Sequence, residues 1–153
     1  MKKIILINVL FLGLIGNCYA QGTIQNNHAM LFVSLGMPKL VLRQYVIQSN
    51  LYHIPIILRG FLHNNYPETA KKIYDILHPE NAKEITGGFE IDPIYFRKFQ
   101  INAVPALVIQ KQDRYTVVYG NVPISKLLYL IAQNSKNMLI KNQARKYLEN
   151  NHA

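Results

Sequence analysis

The chain has 153 residues, half of them hydrophobic, with 17 Lys and Arg against 8 Asp and Glu, a formal charge of +9 and one cysteine. That length supports a single domain with an adequate apolar core. The positive residues are scattered, as at Lys71-Lys72, Arg97-Lys98, Lys111, Arg114, Lys141 and Arg145-Lys146, with no recognisable nucleic-acid module and no common stacking surface, so the charge reads as a solvated basic exterior and not as a nucleic-acid site.

The first segment reads as a leader. Lys2 and Lys3 precede an apolar run from Ile4 to Ile15, and Cys18-Tyr19-Ala20 closes it with a small-x-small end, the pattern of a cleavable secretory signal over residues 1–20. The run is too short to cross a bilayer, which needs about 20 helical residues, and no later run is long enough. Asn17 stands where a lipoprotein signal needs a small residue, so cleavage is expected after Ala20. Cys18 then leaves with the leader, and the exported chain has no thiol.

Residues 21–29 are polar and expected to be flexible. Met30 to Ser34 is a short apolar run suited to a buried strand, with Gly36 in the turn and Pro38 in the first turn of a helix to about Asn50. Val41, Leu42, Tyr45 and Val46 form its apolar stripe. Ile54 to Leu58 reads as a second buried strand, with Pro55 near its start and Gly60 ending the run before a polar loop, His63 to Asn65. A second helix from about Pro67 places Ala70, Ile73, Tyr74 and Leu77 at i, i+3, i+4 and i+7, the spacing of an inward face.

Pro79 to Gly88 is a turn-rich connection leading to a short strand at Phe89 to Ile91. Asp92 is expected to cap the next helix, with Pro93 at its first position and Tyr95, Phe96 and Phe99 as its apolar bulk. Pro105 then opens an apolar, β-branched strand, Ala106 to Ile109, and Thr116 to Tyr119 completes a hairpin. Gly120-Asn121 turns the chain away. From Pro123 a further helix sets Ile124, Leu127, Leu128 and Ile131 at the same inward spacing.

The order βαβα, connection, αββα is the thioredoxin layout with an enlarged middle. The expected fold is therefore α/β and thioredoxin-like over residues 30–133, with a central mixed sheet flanked by helices, because the final hairpin must be antiparallel. Residues 134–153 form a basic tail whose sparse apolar positions, among them Met138, Leu139, Ala144 and Tyr147, are expected to give a solvated, loosely packed or frayed helix, with a weakly amphipathic partner-docking helix as the alternative. The core is expected to end near Gln133.

Five ordered blocks then carry a resemblance: Phe32-Val-Ser-Leu-Gly-Met-Pro38, Ile54-Pro-Ile-Ile-Leu-Arg-Gly60, Ile91-Asp-Pro-Ile-Tyr-Phe-Arg-Lys-Phe99, Val104-Pro-Ala-Leu-Val108 and Tyr119-Gly-Asn-Val122. Together, over roughly residues 31–132, they resemble the TrbC family of F-type conjugative transfer systems. The resemblance implies an exported, non-catalytic pilus-assembly factor of a type IV secretion apparatus in the periplasm. It also implies partners among the other envelope proteins of that apparatus, a TraW-like protein foremost.

The chemistry of individual residues points the same way. A thioredoxin enzyme carries Cys-x-x-Cys between its first such strand and helix, where a helix N-terminus stabilises the thiolate. This chain has Ser34-Leu-Gly-Met-Pro38 there, and serine and methionine cannot cycle through a disulfide. A thioredoxin-like redox enzyme or periplasmic folding chaperone is the alternative reading. Gly36, Met37 and Pro38, with Val104, Pro105, Gly120 and Asn121, are candidates either for a partner-docking surface or for turns that only shape the chain.

Arg59, a charge at the end of an apolar strand, needs a counter-charge, a snorkelling path or a ligand. An ion pair with Asp92 is the expected arrangement, with a partner's carboxylate as the other option. His28, His53, His63, His78 and His152 show no i, i+4 pair and no carboxylate at ligand spacing, so no metal or other cofactor is expected. The serines lack a nucleophile-elbow context, and no carboxylates form a convincing acid–base pair, so no catalytic residue is assigned.

Overall fold

The computed structural model describes residues 27–150; the expected leader over residues 1–20, residues 21–26 of the segment expected to be flexible, Cys18 and His152 lie outside them, while 27–29 of that segment are strand. Five strands form one sheet: β1 (Asn27–Val33), β2 (Ile56–Leu58), β3 (Glu90–Ile91), β4 (Ala106–Lys111) and β5 (Arg114–Tyr119), in the order β3-β2-β1-β4-β5. β1, β2 and β3 run parallel, while β4 runs antiparallel to both β1 and β5, so the sheet is mixed as expected. The described residues also form five α-helices around it, α1 (Lys39–Tyr52), α2 (Tyr66–Leu77), α3 (Pro93–Lys98), α4 (Ile124–Asn134) and α5 (Met138–Glu149), and a short 3-10 turn, Leu62–Asn64.

β1 begins at Asn27, earlier than the apolar run at Met30. The cause is the length of its neighbour: Asn27 lies opposite Lys111 and His28 opposite Gln110, so the ladder to β4 recruits polar residues that hydrophobicity alone passes over. β4 likewise extends through Lys111 before the tight turn to Arg114.

The two faces of the sheet are covered unequally. On one, Leu31, Val33, Ile56, Leu58, Leu107 and Ile109 meet Leu42 and Val46 of α1, Ile76 of α2, and Leu127, Leu128 and Ile131 of α4, all buried in a single aliphatic core. Every inward position expected of α4 is buried there. On the other face, Met30, Phe32, Ile57, Ala106 and Val108 are buried with Phe96, Phe99 and Ile101, in and just after α3, and Tyr95, Val104 and Val117 pack on them partly exposed. At a rise of 1.5 Å per residue α3 is about 9 Å long, whereas five strands at 4.8 Å spacing make a sheet about 19 Å wide. Aromatic side chains therefore take over part of the cover, with Phe32 edge-on to Phe96 and Phe99 at centroid distances of 4.9 and 6.0 Å.

Asp92 caps α3 as its sequence position implies, its Oδ1 accepting from the amides of Ile94 (2.7 Å) and Tyr95 (3.2 Å), with Pro93 at the first helical position. α4 starts after Pro123, which has no side-chain oxygen to offer. Gln48 of α1 supplies one instead, accepting from the Ile124 amide at 2.7 Å.

Two expectations are corrected. α2 turns in Thr69 and Ile76, with Ile73 and Leu77 partly buried, while Ala70 and Tyr74 face outward. Its inward face is shifted toward Thr69 and Ile76 by less than the roughly 100° step of one residue, since Ile73 and Leu77 stay on it. The rotation fits polar anchors invisible to the apolar pattern. Arg43 of α1 donates to the carbonyls of Asp75 and Ile76, both at 2.9 Å. The Thr69 hydroxyl donates to Asn65 O and accepts from the Leu62 amide. The second correction concerns the C-terminal segment: the core does not end near Gln133, because α5 buries Ile140 and Ala144 in the aliphatic cluster and packs on α4 and β4. Asn137 caps it, and the Tyr147 hydroxyl accepts from the Ala29 amide, tying α5 to β1.

Candidate functional site

The topology brings the ends of four strands together. Phe32 near the end of β1 lies opposite Ala106 at the start of β4, Ala106 lies opposite Tyr119 at the end of β5, and the parallel β2 finishes beside β1. All eight residues singled out in the sequence follow or precede these ends. The turn after β1 holds Gly36, Met37 and Pro38, Arg59 follows β2, Val104 and Pro105 precede β4, and Gly120 and Asn121 follow β5.

Their local roles differ. Ser34 shapes the first turn, its carbonyl accepting from the Met37 amide (3.0 Å) and its hydroxyl from the Gly36 amide (3.2 Å). Met37 is half-buried against the aliphatic core, and Pro38 is exposed just before α1. Pro105 is buried, and the Val104-Pro105 peptide bond is cis. The Pro105 carbonyl accepts from the Gly120 amide at 3.2 Å, so the two loops are joined directly. Gly120 has φ of +155°, a conformation that side chains rarely adopt. Asn121 is held from below by the Tyr45 hydroxyl, which reaches its Oδ1 (3.3 Å) and the Val122 carbonyl (3.2 Å). Burial pushes the Tyr45 phenol above its ordinary pKa, keeping it a neutral donor.

Beside these turns lies a cleft of about 530 Å³ lined by Ser34 and Leu35 after β1, Arg59 to Asn64 after β2, Phe96 of α3, and Asn102 to Val104 ahead of β4. Its volume is within the range of ligand sites, about 300–1,000 Å³. Of the eight candidates, Arg59 and Val104 line it; Gly36 to Pro38 continue from its wall, and Asn121 borders a separate groove along α1 with Leu40, Gln44 and Val122.

The expected Arg59–Asp92 ion pair does not form. Asp92 is committed to the N-terminus of α3, and no ion pair among the described residues includes Arg59. Instead one guanidinium nitrogen donates to the Ile101 carbonyl at 2.7 Å, and the group lies 4.9 Å from the centre of the Phe96 ring. A carbonyl and an aromatic face replace the carboxylate because Arg59 points toward α3 and the loop after it.

Sequence reasoning missed Phe96, Asn64, Asn102 and Ala103 as parts of this cleft. Phe96 reads as helix bulk, and the others sit in loops whose spatial neighbours depend on strand order. The available signal was the position of polar loop residues directly after parallel strands, where open α/β sheets form crevices.

Residues 31–131 match the family described as type-F conjugative transfer system pilin assembly protein, TrbC. The matched stretch runs from Leu31 in the second half of β1, through every element from β2 to β5, to Ile131 in α4, and includes the whole cleft. Among curated proteins, one from Escherichia coli (strain K12) named Periplasmic protein TrbC is 30% identical over 104 residues, 68% of this chain and 47% of that protein. The chain thus spans about half the length of that relative. No solved structure matches the chain.

Proposed function

The chain belongs to the TrbC family of type-F conjugative transfer systems, and from that membership we propose that it is a non-catalytic pilus-assembly factor acting in the periplasm. The match over residues 31–131 is the observation that carries this reading. The relative's name supplies the compartment, and the leader-like first 20 residues agree with export. No helix among the described residues is long and apolar enough to cross a membrane.

The fold is proposed to be thioredoxin-like. The supporting features are the strand order β3-β2-β1-β4-β5, the antiparallel β4–β5 hairpin, and the buried proline opening β4. Redox chemistry would need a thiol, and Ser34 to Pro38 contain none where such folds carry their cysteines. Assembly through protein contacts is the better use of this architecture. Its partners are other envelope proteins of the transfer apparatus, a TraW-like protein first, and the docking region is the strand-end surface bearing Gly36, Met37, Pro38, Arg59, Val104, Pro105, Gly120 and Asn121.

Deleting the gene in a cell that carries the transfer system, and restoring it in trans, tests the reading. Loss of pili and of conjugal transfer, recovered on complementation, is expected. Normal piliation after deletion, with exported thiol proteins accumulating in the wrong redox state, would overturn it in favour of a redox or folding role.

A further inference from the structure

Arg59 stands out in the cleft because its position is fixed while most of its hydrogen-bonding capacity is unused. A guanidinium carries five N–H donors in a planar fork suited to carboxylates. Here the bond to Ile101 O and the contact with Phe96 orient the fork but occupy only one edge of it. None of the residues lining the cleft is Asp or Glu. Asp92 is committed to the cap of α3, Glu68 pairs with His63 at 3.1 Å, and no described acid forms an ion pair with Arg59. Among the described residues, the cleft therefore presents an oriented cation with no counter-charge in ion-pair contact.

The adjoining wall suits an extended chain. Asn102, Ala103 and Val104 lie between α3 and β4, outside the ladders, and among the described residues their backbone groups take part in no hydrogen bond. Amides and carbonyls left free in this way can pair with a strand laid alongside.

We propose that the cleft binds an extended segment of a partner protein through an aspartate or glutamate side chain, whose carboxylate is held by the Arg59 fork while the segment's backbone pairs along Asn102 to Val104. The inference rests on the docking region argued above and assigns its ligand chemistry. Charge complementarity selects the occupant: an acidic segment fills the unpaired cation, whereas a second copy of this strongly basic chain brings mostly further positive charge.

The test is an NMR titration of the isotope-labelled protein, purified in the form the cell exports. The probes are short peptides blocked at both ends, with β-forming residues around a central glutamate, and the same peptides with glutamine. The glutamate peptide should shift the amides of residues 59–64 and 102–104 and the Arg59 side-chain resonance. The glutamine version should bind roughly tenfold more weakly or worse, as expected for loss of a charge-assisted hydrogen bond. Arg59→Gln should remove that preference without lowering the unfolding midpoint appreciably, and Arg59→Lys should restore only part of it, since an ammonium lacks the fork.

Equal binding of both peptides along 102–104, indifferent to Arg59, would overturn the carboxylate assignment and leave the docking region standing. Binding only when the peptide has a free C-terminus would overturn the side-chain assignment. If no peptide perturbs these residues while a crosslinked partner still maps to them, the extended-segment proposal fails; if the partner maps elsewhere, the docking region fails with it.

Discussion

The two faces of the sheet solve the same burial problem with different materials. The aliphatic face is covered by four helices and buries apolar side chains from β1, β2 and β4 and from α1, α2, α4 and α5. The aromatic face has one six-residue helix, so a few large rings bear the cover: Phe32, Phe96 and Phe99, with Tyr95 stacked on Phe99 and Tyr115 edge-on to it. Lys98 also lies over this side, 5.0 Å from the Phe99 ring centre, with its ammonium bonded to Gln110 at 3.0 Å. A face built from few large pieces concentrates stability in single residues, and a short helix leaves a cleft at the strand ends. The thin cover and the cleft are thus consequences of one feature, the brevity of α3.

Substitutions can break this contrast. Phe32→Ala should produce the largest loss, about 3–5 kcal/mol, because one fully buried ring contacts two others and no second layer fills the gap. Urea unfolding measures it, and a loss under about 1 kcal/mol would mean the aromatic face is not a core in its own right. On the aliphatic face, Ile140→Ala should lower stability by at least about 2 kcal/mol, the lower end for truncating a buried aliphatic side chain. An unchanged midpoint would show α5 to be dispensable cover.

Asp92→Ala should cost about 1 kcal/mol through loss of the cap on α3. It should also loosen the aromatic face selectively, seen as faster amide exchange at Phe96 and Phe99 than at Leu127 and Leu128. Smallest of all, Gly36→Ala should change stability by less than about 0.5 kcal/mol, since an added Cβ would meet only the Ser34 hydroxyl at an ordinary 3.5 Å. Gly87 marks the opposite case. Its φ is +129°, and a Cβ there would come within 2.9 Å of Asn50 and Val46, so Gly87→Ala should be clearly destabilising in the same assay.

What the sequence made legible follows the physics of local patterns. The Asp92-Pro93 start, the inward face of α4 and the antiparallel hairpin depend on neighbours within a few residues, and all appear as expected. The misread features depend on distant partners. The orientation of α2 accompanies Arg43, more than 30 residues away, reaching its last carbonyls. α5 looked too sparse to pack because Ala144 counts little toward hydrophobicity, yet a small residue lets a helix approach closely, and Ala144 is fully buried. In the site, Arg59 was noticeable as a charge ending an apolar strand, but its actual partners, Ile101 O and Phe96, belong to another part of the chain. The eight candidate residues share one end of the sheet only because strand order and direction put them there.

The most direct test of the account is site-specific photocrosslinking in cells with an active transfer system, comparing a probe at Ala103 in the cleft with one at Tyr74 on the outer face of α2. The account predicts that Ala103 captures an envelope protein of the transfer apparatus, that Arg59→Gln reduces this product, and that Tyr74 captures nothing comparable. Capture from Tyr74 but not from Ala103 would contradict it, placing assembly contacts on the thickly covered side and leaving the cleft without a role in docking.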